Sequence, residues 1–351
     1  MGAEKVRAER ISMPCRSFVI RTHELALSIL LLSSPGARSQ AQGPVVPSNP
    51  TEGALAKVAG KVDWQESATQ WKFAPDRRRL EVVVSETVTV DGTDPFGETV
   101  VERWEKSFSQ SEDYSPLPGG GCTVRAAVSH SEARRNGELI DDRLGQALMG
   151  HGMLLRLDPT GKVEEVEGIS EALADIEAEL GPGGLDGGGR SVSVERMAER
   201  AGQEFSSRYD GLLGRPFGQG TWIVRGAVVG SPVGVDVRVL NAATLDGFEE
   251  IGGRRCGIVR VVHGCVPADF REPAARQSAV AYFEAAKIKP KLPSTGLTGT
   301  TRYWFELDTG LLRRADRRLD GVSRRATGGR TEDIRFRMEQ SLSARDLSLG
   351  E

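Results

Sequence analysis

Few residues of this chain could do chemistry. Beyond residue 41 it keeps Cys122, Cys256 and Cys265, and His130, His151 and His263. Thiolate and imidazole are the ligands that zinc selects. They gather only at His263-Gly264-Cys265 with Cys256. No Cys-x-x-Cys and no second histidine lies beside them, so no metal and no cofactor is expected. An extended strand over 256–263 would place Cys256 and Cys265 roughly 25–30 Å apart at about 3.3 Å per residue. A disulfide needs Cα atoms about 4.4–6.8 Å apart. In an oxidising compartment Cys122 with either of the other two is the disulfide candidate. Three buried thiols is the alternative.

Hydrolysis needs a nucleophile and a base. The sequence has no Gly-x-Ser-x-Gly elbow and no His-Glu-x-x-His. The carboxylate pairs Asp141-Asp142, Glu164-Glu165 and Glu249-Glu250 fall in expected polar turns or exposed edges. Gly187-Gly188-Gly189 lacks the Lys-Ser/Thr that a phosphate loop requires. No catalytic residue is assigned, and the chain is not read as an enzyme. The strongest local charge is a run of Arg313, Arg314, Arg317, Arg318, Arg324, Arg325 and Arg330. In a strand, Arg314, Asp316, Arg318 and Asp320 share one parity and read as a wet face. Leu311, Ala315 and Leu319 share the other with Arg313 and Arg317. Arg314 and Arg318 are thus the residues that would meet an anionic partner such as lipid head groups, polysaccharide or an acidic protein.

The elements that would carry these residues are mostly strands. Leu80, Val82, Val84, Val88 and Val90 alternate with polar residues. Val100, Trp104 and Phe108 share one parity, and so do Cys122, Val124, Ala126 and Val128. Met153, Leu155 and Leu157 follow the same rule, as do Val233, Val235, Val237 and Val239. Further strands are expected at 222–229, 256–263, 303–307, 311–322 and 331–340. Period-2 alternation means one buried and one wet face, the mark of antiparallel sheet. Helices are expected at 170–180, capped by Ser170, from Ser193 onward with Met197, Ala201 and Phe205 on one stripe, and at 272–287. The Gly-rich stretch 181–190 is the expected boundary between halves.

The chain has 351 residues with 38% hydrophobic, 6% aromatic and 27% charged, and a net charge of −3. That excludes a coiled coil and a multi-pass membrane protein, and gives no electrostatic reason to bind nucleic acid. Arg16 and Arg21 precede Leu25-Ala-Leu-Ser-Ile-Leu-Leu-Leu32, and Ser39-Gln40-Ala41 supplies small residues for cleavage. This is the pattern of a secretory signal over 1–41, too short in its apolar run to span a bilayer. Cys15 lies ahead of that run, so no lipid anchor is expected. Removing 1–41 takes six of the 46 Lys/Arg and three of the 49 Asp/Glu, which leaves a net charge of −6. The expected organisation is a signal at 1–41, a flexible lead at 42–70, and β-rich halves at 71–181 and 191–345. The location is exported, periplasmic or extracellular.

The halves repeat a pattern. Gly119-Gly-Gly-Cys122-Thr-Val-Arg-Ala-Ala-Val-Ser-His130 parallels Gly252-Gly-Arg-Arg-Cys256-Gly-Ile-Val-Arg-Val-Val-His263. Met153-Leu-Leu-Arg-Leu-Asp158-Pro-Thr-Gly161 parallels Tyr303-Trp-Phe-Glu-Leu-Asp308-Thr-Gly310. In each, a strand ends in Leu-Asp and turns on a glycine that can take positive φ. A duplication would give two similar curved sheets sharing a core, or one large half-barrel. On these hairpins the chain resembles exported bacterial proteins of long antiparallel strands. It is distantly similar, over about residues 70–345, to the half-barrels of periplasmic lipoprotein carriers and lipid-binding lipoproteins (LolA/LppX-like). The resemblance implies a concave sheet, partly plugged by helices, that shelters an apolar ligand; it carries over no catalytic residue. The expected fold is thus α+β and antiparallel β-rich, with two related halves and a few helices. The expected function is a non-enzymatic exported carrier of a lipid or other apolar ligand, with Trp104, Phe108, Tyr303 and Phe305 lining a groove. The alternative is an envelope interaction protein docking an anionic partner through Arg313–Arg330.

Overall fold

The computed structural model describes residues 69–93, 99–140, 142, 146, 149–180, 194–209, 212–230, 236–264, 266–287, 296–327 and 330–347. The signal 1–41, lead residues 42–68, the stretch 181–190, Ser193, Val233, Val235 and Cys265 lie outside them.

The strands, in chain order, are β1 (Thr69–Gln70), β2 (Arg78–Thr93), β3 (Thr99–Pro116), β4 (Cys122–Arg135), β5 (Glu138–Leu139), β6 (Gly152–Leu157), β7 (Val163–Glu167), β8 (Pro216–Phe217), β9 (Ile223–Gly230), β10 (Asp236–Ile251), β11 (Arg254–Gly264), β12 (Gly296–Glu306), β13 (Leu312–Thr327) and β14 (Arg330–Asp346). Helices α1 (Ile169–Leu180) and α2 (Val194–Ser207) lie between β7 and β8, and α3 (Pro273–Ala286) between β11 and β12. Helix α1 begins one residue before Ser170, so that serine does not cap it. Thr69 and Gln70, within the span read as a flexible lead, pair with Phe217 and Pro216.

A single 12-stranded antiparallel sheet runs β7-β6-β4-β3-β2-β14-β13-β12-β11-β10-β9, with β5 on the far side of β4. Of the two arrangements a duplication allows, this is the one large curved sheet. Each half is a meander of sequential neighbours. The first strand of one and the last of the other join along a long seam, from Arg335 opposite Asp91 to Asp346 opposite Leu80. The repeat is visible in strand order, since β3-β4-β6-β7 and β10-β11-β12-β13 are neighbours in the same order. The registers differ by one residue: Cys122 faces Leu157, whereas Cys256 faces Glu306, the residue before the matching Leu307.

One end of the curved sheet is tied shut. The segment after β1 crosses between the two equivalent hairpin turns. The Phe73 amide donates to the Pro159 carbonyl (3.2 Å) and the Ala74 amide to the Thr309 carbonyl (2.9 Å). Trp71 and Phe73 are fully buried there with Phe205 and Tyr209, and with Leu212, Leu213 and Phe217. Tyr209 meets Phe73 edge-on at 4.8 Å and lies 6.2 Å from Phe305 on β12, while its neighbour Arg208 reaches Glu112 on β3. One turn of chain thus touches both halves, so the face it fills is the concave one. The opposite face is covered over β9–β11, where Ala275, Ala279 and Tyr282 of α3 pack on Val224, Leu240, Ala242 and Val262.

Candidate functional site

Strand β3 defines the concave face. From Glu102 to Tyr114 every even residue is buried: Glu102, Trp104, Lys106, Phe108, Gln110, Glu112 and Tyr114. Four of these seven are polar or charged, so the face is not a plain apolar wall. It divides into three zones along the strands.

The first zone lies at the tied end. It holds Leu80, Val82, Val84, Phe108, Val124, Leu155, Val259, Val261, Tyr303, Phe305 and Leu342 around the Trp71–Phe73 and Phe205–Tyr209 plug. Inside it, Glu112 is fully buried. It accepts from Arg208 Nη1 (2.5 Å), from the Tyr114 hydroxyl (2.6 Å) and from Gln110 Nε2. A second buried carboxylate, Glu306, accepts two bonds from Arg78 Nη1 (2.9 and 3.0 Å) and one from Thr309 (2.5 Å) at the rim of the same end. Buried charges persist where paired and hydrogen-bonded, and these two pairs lock the tied end.

The second zone is a polar row across the middle of the face. Lys106 Nζ lies 2.8 Å from Asp142 Oδ2, which also accepts from Ser131 (2.7 Å). Burial lowers the Lys106 pKa, and Asp142 opposes that shift. Next along the row, Lys106 faces Glu86, Glu86 faces Gln340, Gln340 faces Arg317 and Arg317 faces Thr301 across successive strand pairs. Gln340 Nε2 donates to Glu86 (3.0 Å), and Arg317 Nη2 donates to the Tyr303 hydroxyl (3.2 Å). The row ends in His263, which bonds Asn241 Oδ1 through Nδ1 (2.7 Å) and Thr301 Oγ1 through Nε2 (2.8 Å). An amide oxygen only accepts, so Nδ1 carries the hydrogen and the Thr301 hydroxyl donates to Nε2. Thr301, His263 and Asn241 thus have the layout of nucleophile, base and orienter. Burial, then Arg317, then Arg225 push the His263 pKa down to about 3, which leaves the imidazole a weak base. A general base needs a pKa near the working pH.

The third zone lies beyond the row, at the end opposite the strap. Val88, Val90, Trp104, Val239, Leu297, Leu319, Ile334, Phe336 and Met338 form it. Phe336 lies over Gly321, where a Cβ would come within 2.1 Å of the ring. Among the described residues Ile140 is the one partly buried hydrophobic packed against this group. The Trp104 indole N–H is buried there without a hydrogen-bond partner, and the Arg135 guanidinium lies 4.9 Å from the ring centre.

The residues expected to line a groove therefore separate. Phe108, Tyr303 and Phe305 belong to the plugged zone, where Tyr303 and Phe305 stack at 5.8 Å and Phe305 lies 6.0 Å from Trp71. Trp104 belongs to the far zone. On the outer face Arg314 sits 2.7 Å from Asp316, and Arg318 is 3.7 Å from Glu339. Arg313 turns inward, is buried, and bonds Asp346 (3.1 Å). Cys265 lies outside the described residues, and Cys122 and Cys256 are both buried free thiols, so the expected disulfide of Cys122 with either other cysteine is not formed. Five strands of the sheet lie between theirs. Burial pushes their pKa values up to about 12 and about 11. Among the described residues no group of three His, Cys, Asp or Glu could hold a metal, and no described helix is long and apolar enough to cross a membrane. Sequence reading missed the polar row because Lys106, Glu86, Gln340 and Arg317 look like wet-face residues until the registers align them.

No family model matches the sequence, and no curated protein matches it. Among solved structures the chain is similar to lipovitellin, described as showing lipid–protein interactions, at 9% identity and TM-score 0.38. The match covers 80% of this chain and spans about a quarter, 26%, of that one. A LolA superfamily protein, NE2245 from Nitrosomonas europaea, is similar at 9% identity and TM-score 0.14, covering 78% of this chain and 90% of that one. Pseudomonas aeruginosa OpdQ is similar at 10% identity and TM-score 0.19, covering 78% and 99%.

Proposed function

We propose that this chain is an exported binding protein for an apolar ligand, a lipid or other acyl-chain molecule, held on the far apolar zone of the concave face. The observation that carries the reading is the unequal filling of that face. The tied end brings its own plug, whereas the far zone gathers nine apolar side chains, 1–6% exposed, against which Ile140 is the one partly buried hydrophobic among the described residues. Each buried side chain of the size of Val, Leu or Phe gains about 1.5–3 kcal/mol on leaving water. A row of such side chains around an unsatisfied indole N–H suits a guest with an apolar body. Docking of an anionic partner through Arg314 and Arg318 has less support, since both guanidiniums already sit against carboxylates and such exposed pairs leave little free charge.

The test is native mass spectrometry of the chain recovered from the periplasm of an exporting bacterial host. A mass adduct that vanishes on solvent extraction is the expected result, and the same spectrum reports whether residues 1–41 are removed. A bare chain that also fails to bind an apolar fluorophore overturns the reading.

A further inference from the structure

The strap at the tied end is seated as a bound peptide would be. Its side chains alternate: Trp71 and Phe73 are buried, and Lys72 and Ala74 are exposed. Each inward ring has a seat built by other parts of the fold. The Trp71 indole fills a notch at Gly257 on β11, where a Cβ would come within 2.2 Å of the ring. That glycine pairs with Phe248 on β10 and with Phe305 on β12, so the notch belongs to the sheet and not to the strap. The rings of Phe305 and Phe217 wall it, with centres 6.0 and 5.7 Å from the indole. Phe73 packs edge-on to Tyr209 at 4.8 Å. Tyr209 in turn lies over Gly161, where a Cβ would come within 3.0 Å of its ring. The strap backbone is held outside the ladder of the large sheet. Thr69 and Gln70 pair with Phe217 and Pro216. The Trp71 carbonyl accepts from the Gly214 amide (2.7 Å), and the Phe73 and Ala74 amides donate to Pro159 and Thr309. Gly310 leaves room for the Lys72 carbonyl oxygen, which a Cβ there would approach to 2.5 Å.

We infer that the tied end is a docking groove for an extended peptide segment with aromatic residues at positions i and i+2, and that Thr69–Ala74 is its resident occupant. Strand-like recognition of a peptide takes affinity from main-chain hydrogen bonds and specificity from pockets for alternate side chains. Both are present here, in the bonds to Gly214, Pro159 and Thr309 and in the two ring seats. A glycine inside a strand weakens it and marks the close approach of another group. Gly257 is such a glycine, and the group that approaches it is the Trp71 ring. The occupant is also separable from the sheet that holds it. Between Phe73 and the start of β2 at Arg78, the chain passes through Asp76 and Arg77, both exposed. A break there leaves the segment and both seats whole. The groove is independent of the ligand proposed for the far zone.

The test uses the full chain with a protease recognition sequence inserted between Asp76 and Arg77, and a fluorescent peptide with the sequence of residues 67–76. After cleavage the peptide is expected to bind saturably by displacing the severed segment, with the far-ultraviolet circular dichroism of the body unchanged. The uncleaved chain, whose occupant is tethered at high effective concentration, is expected to bind it about a hundredfold more weakly. Peptides carrying Trp71→Ala or Phe73→Ala are each expected to bind at least about tenfold more weakly, the loss usual for a buried aromatic anchor. No saturable binding to the cleaved chain overturns the groove. So does unfolding of the body as the severed segment leaves, or equal binding of the alanine peptides. A second variant needs no cleavage. Gly257→Ala sets a methyl group against the indole, and hydrogen exchange at the Phe73 and Ala74 amides is expected to quicken at least about tenfold while the amides of β2 to β4 keep their protection. Unchanged exchange at those two amides, or an equal loss of protection across the sheet, also overturns it.

Discussion

At the residue scale the buried polar groups make the sharpest predictions. His263 is neutral in the fold, with a pKa of about 3 set first by burial and then by Arg317 and Arg225, against about 6.5 unfolded. Its folded pKa is depressed, so below about pH 6.5 the unfolded chain binds a proton that the fold refuses. Stability is therefore lost as pH falls from about 6.5 toward 3, at up to about 1.4 kcal/mol per pH unit for this group. Urea midpoints at pH 7.5 and pH 5 should differ accordingly, and His263→Gln should reduce the difference. Arg208 and Glu112 give a second prediction. Arg208→Met removes the guanidinium from a fully buried carboxylate and should cost about 3–5 kcal/mol. Adding Glu112→Gln should recover part of that loss in a denaturant double-mutant cycle. A third concerns Cys122 and Cys256, whose raised pKa values and burial keep them as thiols. Neither should react with a thiol reagent at pH 8 until the chain is unfolded, and peptide mapping would show which cysteines are labelled. The histidine and the cysteines stood out in the sequence by type. Their partners, Asn241, Thr301 and Arg225, did not, because 22 to 38 residues of chain separate His263 from the two oxygens that bond it.

At the element scale, strand alternation was legible where the inward residues are apolar and failed where they are not. In β2 five of the six inward residues from Leu80 to Val90 are Val or Leu, and the strand was found. In β3 the pattern showed as far as Phe108, yet the strand runs on to Pro116 with Gln110, Glu112 and Tyr114 inside. Polarity marks a residue as wet only when no buried partner waits for it, and Arg208 comes from a distant turn. The hairpin turns were legible from Leu-Asp and glycine, but not the strap across them. Gly310 has φ 69°, and a Cβ there would lie 2.5 Å from the Lys72 carbonyl oxygen, whereas Gly137 has φ 85° and open space. Gly310→Ala should therefore destabilise by about 2 kcal/mol or more, since the left-handed conformation costs roughly 1–2 kcal/mol before any overlap. Gly137→Asn should cost less than about 1 kcal/mol, because Asn tolerates that conformation. Thermal unfolding of the two variants measures the contrast.

At the scale of the whole molecule, the seam between β2 and β14 makes one body of two meanders. The halves share a sheet, a plug and the row from Lys106 to His263, so neither buries its concave face without the other. Unfolding of the full chain should follow one transition by tryptophan fluorescence and by far-ultraviolet circular dichroism. Two separated transitions would show halves that fold independently. An expressed first half alone would expose β2, rich in valine, as an unpaired edge and should aggregate.

The sequence by itself determined the class of structure. Alternation at 80–90, 122–128 and 153–157 can bury one side only as antiparallel sheet, and the paired Leu-Asp hairpins announce two matching meanders. Those are local properties, set by the period of the side chains and the conformational freedom of glycine. The tertiary structure alone decided that the meanders join end to end into a single curved sheet, that Trp71–Phe73 ties one end closed, and that polar and charged residues from eight strands line up across its middle. Strand pairing sets which residues stand opposite one another. It depends on burial shared by residues far apart in the chain, which no local spacing encodes.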